Sequence, residues 1–130
     1  MPTVAIRDTK AGDVIKHEYA PQNGYCRELV EVDLKKDTVI GSVFVVSTGE
    51  LVAVATSAEK LCVVVDPAVY NLRPTSGSAT NTVKVACLVR GPAIVGDLKL
   101  VYGVDVDTDA EKAAVAAQLK SQGILVEKQV

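Results

Sequence analysis

Three short apolar runs crowd the middle of the chain: TVIGSVFVVS (38–47), LVAVAT (51–56) and LCVVVD (61–66). The linkers between them, around Ser47-Thr48-Gly49-Glu50 and Ser57-Ala58-Glu59-Lys60, are small, polar and turn-forming. β-Branched runs punctuated this way predict an antiparallel β meander. Each run is nearly continuous rather than alternating, so its strand needs cover on both faces. A barrel or a compact sandwich provides that cover; a flat open sheet does not.

The remaining segments fit around this centre. YCRELVEVD (25–33) alternates loosely, and LKKDTVIGSV reads as a polar turn leading into a strand. Residues 67–82, PAVYNLRPTSGSATNT, hold two prolines and a Gly-Ser cluster and predict a long surface loop. VKVACLVRG follows as a strand that must break or reach an edge at Pro92, which has no N–H to donate. One helix is clearly signalled. Thr108 and Glu111 have the spacing of a capping box, KAAVAAQLKSQ is rich in helix formers, and Gly123 is placed to stop it. ILVEKQV then predicts a terminal strand.

The expectation is therefore a mainly β domain with little helix, barrel- or sandwich-like, closed by one C-terminal Ala-rich helix. At 130 residues it is long enough to bury a core of its own. Trp is absent and aromatics make up 4%, so Val, Ala and Leu must supply most of the burial. The predicted core is Val43, Val45, Val52, Val54, Val63, Val65, Val85 and Leu88. Residues 1–24 show no sustained period and carry Gly12, Pro21, Asn23 and Gly24. They read as an N-terminal arm with at most one short strand, ahead of a single β-rich domain over 25–130.

Chemistry is sparse. Net charge is −2, which gives no electrostatic footprint for nucleic acid or an anionic membrane. No apolar run approaches the roughly 18 residues of a membrane span. The first residues lack the apolar segment of a signal peptide, so the expectation is a chain that stays in the cytoplasm until it is assembled. Cys26, Cys62 and Cys87 form no C-x-x-C pair, and His17 is the only histidine, which argues against a zinc site. Asp105, Asp107 and Asp109 open like a calcium loop, but Ala110 and Ala116 stand where that loop needs Gly and Glu. No phosphate-binding glycine loop and no nucleophile–base motif occurs, so no enzyme, cofactor or metal is expected. The four tyrosines are scattered and read as packing or interface residues. Arg90 has two readings, a solvated strand-end cation or an interface arginine.

VACLVRGPAIV (85–95), followed by DAEKAAVAAQLKSQGILVEK (109–128), resembles the C-terminal half of lambda-type bacteriophage head decoration proteins. KAGDV and LKKDTVIGSV are similar to that family's N-terminal pattern, so the resemblance spans about residues 10–126. The loop at 67–82 is larger than the family pattern. The resemblance implies a β-tulip-like fold, no catalysis, and a homotrimer bound to the major capsid protein on the outer surface of a phage head. There it would sit at local three-fold positions and brace the mature shell, with no contact to nucleic acid or membrane. On this reading Val4, Ala5, Ile6 and Arg7 contact the capsid, and Arg90, Gly91 and Pro92 lie at a subunit or capsid interface. The competing classes are a small non-viral β-barrel module that binds protein or carbohydrate, and a β-barrel hydrolase.

Overall fold

The structure, a computed structural model, describes residues 9–128. Seven strands form two sheets. In the larger, β2 (Arg27–Leu34), β5 (Asn81–Leu88), β4 (Leu61–Val64) and β3 (Val43–Val45) lie side by side in that order, all antiparallel. In the smaller, β6 (Ala93–Gly96) is the centre, antiparallel to β1 (Ile15–Glu18) and parallel to β7 (Ile124–Glu127). The parallel pair requires a crossover, and α3 (Asp109–Ser121) provides it. The fold is mainly β with one long helix near the C-terminus, as the sequence predicts.

α3 begins where the capping box places it. The Thr108 hydroxyl accepts from the Glu111 amide at 3.2 Å, and the Thr108 amide donates back to the Glu111 carboxylate at 3.2 Å. The Thr108 hydroxyl also donates to the Glu111 carboxylate at 2.6 Å; this bond first, and the one from the Thr108 amide, hold the Glu111 carboxyl below the usual carboxylate range. Val115 and Leu119 are the helix residues that reach the core, beside Ile124 of β7.

The strand content departs from the sequence reading in four places. LVAVAT is not a strand: Leu51 makes a single bridge to Phe44, and 54–56 form a 3₁₀ turn in which Thr56 bonds the Ala53 amide. The backbone of Val52 is taken up on two sides, its amide by Val43 and its carbonyl by Gly103. Of the three-run meander expected over 38–66 only the pair β3–β4 forms, and the sheet is extended on the other side of β4 by β5 and then β2. The long loop contains α2 (Val69–Leu72) and ends at 80, because β5 starts at Asn81.

The fourth departure concerns the N-terminal arm. Residues 11–18 are built into the domain as α1 (Ala11–Val14) and β1, and Val14 is fully buried. The sequence IKHE conceals this strand, since only Ile15 is apolar; pairing with β6 and an ion pair at Glu18 hold it. Val4, Ala5, Ile6 and Arg7 lie outside the described residues.

The core is one continuous aliphatic cluster with a single aromatic, Phe44, fully buried at its centre. Seven of the eight predicted core residues are within it; Val54, on the 3₁₀ turn, is 44% exposed. Val63→Ala and Leu88→Ala should each cost about 1–4 kcal/mol, because β-sheet packing on both sides leaves little room to collapse. Val54→Ala should stay within about 0.5 kcal/mol of the parent. Denaturant unfolding of the three variants checks the assignment.

Candidate interaction surface

The turn Arg90-Gly91-Pro92 joins β5 of the large sheet to β6 of the small one, through a cis Gly91–Pro92 peptide. Three neighbouring segments hold it. The Val89 and Arg90 amides both donate to the Cys26 carbonyl, at 2.9 and 3.3 Å. The Pro92 carbonyl accepts from the Tyr19 amide at 2.9 Å, and the Gly91 amide donates to the Gln122 carbonyl at 3.0 Å. Past the turn, the Ala93 amide donates to the Gly123 carbonyl at 3.2 Å.

Gly91 is required here for space. A Cβ at that position would stand 1.8 Å from the Gly123 carbonyl oxygen, well inside any contact distance. Gly123 itself has φ of +89°, so both backbones meet where neither can carry a side chain without strain. The Gln122 side chain then completes the seam. Its Oε1 accepts from the Leu61 amide at 2.8 Å, and its Nε2 donates to the Leu61 and Val89 carbonyls at 2.7 and 3.0 Å. One amide side chain thus does the hydrogen bonding of a short extra strand at the end of β4.

Outside this seam lies an aromatic and charged surface. Tyr19 and Tyr25 flank the turn APQNG, whose Ala20 and Gly24 both take left-handed backbone conformations. The turn brings the two rings edge to face, with centroids 5.5 Å apart and planes at 86°. They are 54% and 51% exposed. Arg90 is held beside them: Nη1 donates to the Tyr25 carbonyl, Nη2 pairs with the Glu28 carboxylate at 2.8 Å, and the guanidinium lies 5.7 Å from the Tyr25 ring centroid. Such contacts place a cation over the negative face of the ring and leave it few alternative rotamers.

Beneath the surface, Arg27 grips Glu18 through two parallel bonds of 2.8 Å, tying β2 to β1. The Glu18 side chain is 4% exposed. Its carboxylate raises the Arg27 guanidinium above the ordinary arginine value against the opposing effect of burial. The buried Cys26 thiol donates weakly toward the Tyr19 and Pro92 carbonyls. Sequence reasoning singles out Arg90, Gly91 and Pro92 and reads the tyrosines as packing or interface residues, but misses Glu28 and the pairing of Tyr19 with Tyr25. The signal it could have used is YAPQNGY, a tight turn bounded by tyrosines that must bring their rings together.

The other candidates stay separate. His17 is exposed on β1. Asp105, Asp107 and Asp109 lead into the helix cap, and among the described residues no group of His, Cys, Asp or Glu is arranged to hold a metal ion. All three cysteines are free and buried. A hydrogen bond with the Cys62 thiol, then burial, pushes the Cys87 thiol far up. No helix among the described residues is long and apolar enough to cross a membrane. Comparison with protein-family models, curated proteins and solved structures finds no match for this chain.

Gly91→Ala should cost more than about 3 kcal/mol or prevent folding, since the backbone opposite cannot move without breaking the seam. Arg90→Ala should cost under about 1 kcal/mol, as expected of a surface ion pair. Thermal unfolding of both separates a joint from a decoration of the surface. A thiol reagent should modify none of the three cysteines in the native protein and all three in denaturant.

Proposed function

We propose that this chain is a capsid decoration protein, which binds the outer surface of a bacteriophage head as a homotrimer at local three-fold positions and stabilises the mature shell. The observation that carries this reading is the Tyr19–Tyr25–Arg90 surface. Tyrosine and arginine are, with tryptophan, the residues enriched at the energetic centres of protein interfaces. Here they are fixed before any partner arrives, so little side-chain entropy remains to be lost on contact. The rings meet edge to face, so they present no flat double platform of the kind a sugar stacks on. That favours a protein partner over the carbohydrate-binding alternative. The similarity of VACLVRGPAIV and the capped Ala-rich helix to decoration proteins supports the particular partner, the major capsid protein.

In this proposal the exposed tyrosines and Arg90 meet a neighbouring subunit or the shell, and Gly91 and Pro92 act by holding that surface in place. Val4, Ala5, Ile6 and Arg7 engage the shell, with the short apolar stretch adding as a strand to an exposed sheet edge. Strand addition needs backbone partners rather than a prebuilt pocket. Three arms on one trimer raise the effective concentration of the second and third once the first is engaged. The chain works by binding, and no catalysis is assigned to it.

The test uses undecorated, expanded heads of the encoding phage. The wild-type protein should bind them and sediment as a trimer. Tyr19→Ala/Tyr25→Ala should bind at least about 30-fold more weakly, the loss expected for an interface centre. A truncation should stop at residue 8, because residues 11–18 are part of the fold; it should stay folded and bind about 100-fold more weakly. A wild-type protein that is monomeric and ignores the heads contradicts the proposal.

A further inference from the structure

Three large apolar side chains within seven residues are solvent-exposed: Leu98 at 65%, Val101 at 37% and Val104 at 93%. Single exposed apolar residues are ordinary, but a cluster marks a contact surface. The backbone beneath it is fixed. The Val101 amide donates to the Gly41 carbonyl at 3.0 Å, the Val43 amide to the Val101 carbonyl at 2.9 Å, and the Gly103 amide to the Val52 carbonyl at 2.9 Å. From Val104 the cluster runs into an acidic stretch, where Asp105, Asp107 and Asp109 are exposed and no cation occurs before Lys112. Beyond the line where Gly41 meets Val101, the charge changes sign. Lys35 and Lys36 are exposed on the 35–40 turn, with Asp37 the one opposing charge there. Exposed Lys99 stands at the junction, its carbonyl oxygen 2.2 Å from where a Gly41 Cβ would lie. Arg73 is held to the same turn by its bond to the Thr38 carbonyl at 2.9 Å, and its chain neighbour Leu72 is 39% exposed.

We propose that these two faces are the two halves of the contact between copies of this chain. Leu98, Val101, Val104 and the acidic stretch after them on one copy meet Leu72, Arg73 and the Lys35-Lys36 turn of the next. The contact rests on the reading of the chain as a homotrimer, and it names the subunit surface which that reading leaves open. Charge decides the occupant. Two copies meeting by the same face would set Asp105 and Asp107 against their own counterparts, and like charges across an interface suppress pairing. Turned so that the acidic face meets the basic one, the chain supplies both signs of charge and an apolar residue on each side. Placement decides closure. Such a contact is head to tail, and it makes a ring only if the rotation from copy to copy closes. Contact faces on opposite sides of a domain would run on as a filament. Here the faces adjoin along Gly41–Val43 and Val101, so each copy is a wedge, and a few wedges close around an axis. The tyrosine–arginine surface is built from other segments and stays available to the shell.

Sedimentation equilibrium of the full-length protein, free of heads, provides the test. The wild type should be a trimer. Asp105→Lys/Asp107→Lys and Lys35→Glu/Lys36→Glu should each weaken association at least about tenfold, since each sets like charges against one another. Val104→Ser should weaken it too without lowering the unfolding temperature, because Val104 is exposed in the single chain. Combining the four charge reversals should restore the trimer to within about threefold of wild type, a rescue that a folding defect cannot imitate. A wild-type trimer that all these variants leave intact overturns the contact, and so does a quadruple variant no better than either double. Variants that stay trimeric but lose binding to undecorated heads give the face to the shell, and also overturn it. These outcomes fail the contact alone, whereas a monomeric wild type fails the trimer reading and the contact with it.

Discussion

Two glycine backbones in contact, Gly91 and Gly123, are what the rest of this structure depends on. The larger sheet ends at the first and the smaller sheet's parallel strand begins at the second, so their approach sets where the two sheets meet. The seam is sealed by polar groups rather than by apolar bulk. Gln122 bonds β4 and the end of β5 with its side chain and the turn with its carbonyl. A chain whose core is almost wholly Val, Leu and Ile gains burial energy that is nearly non-directional. Direction has to come from hydrogen bonds and from places where only one residue type fits.

The same seam builds the surface. The Cys26 and Pro92 carbonyls, which receive the Arg90 and Tyr19 amides, hold the two stretches that carry the tyrosines and the arginine. Glu18 and Arg27 lock the layer below. A rigid aromatic–arginine patch on a small β domain is suited to recognition by contact, and a nearly neutral chain such as this one gets little help from long-range charge attraction. Tyr70 supplies a second tie, holding Thr9, the first described residue, to the 35–40 turn.

Much of the architecture was legible in the sequence because it is written in local signals. The capping box at Thr108, the stop at Gly123 and the β-branched runs at 43–45 and 61–64 each specify their element within a few residues. LVAVAT failed because an apolar run alone does not say whether its backbone will pair along a strand or be divided between Val43 and Gly103. β1 failed for the opposite reason: IKHE has a strand's partners but not its pattern, and Glu18 is inside only because Arg27, nine residues on, meets it. Arg90-Gly91-Pro92 drew attention as a broken strand, yet its meaning lies in Gly123 and Gln122, more than thirty residues away, which no local pattern reports. The tyrosines read as packing or interface residues, but only the turn between Tyr19 and Tyr25 brings two of them together.

Hydrogen-exchange footprinting of the full-length protein on undecorated heads tests the account most directly. Amides in 16–28 and 88–93 should become protected on binding, while 104–116 keeps its exchange rates. Protection confined to 104–116, with the tyrosine surface unchanged, would contradict it.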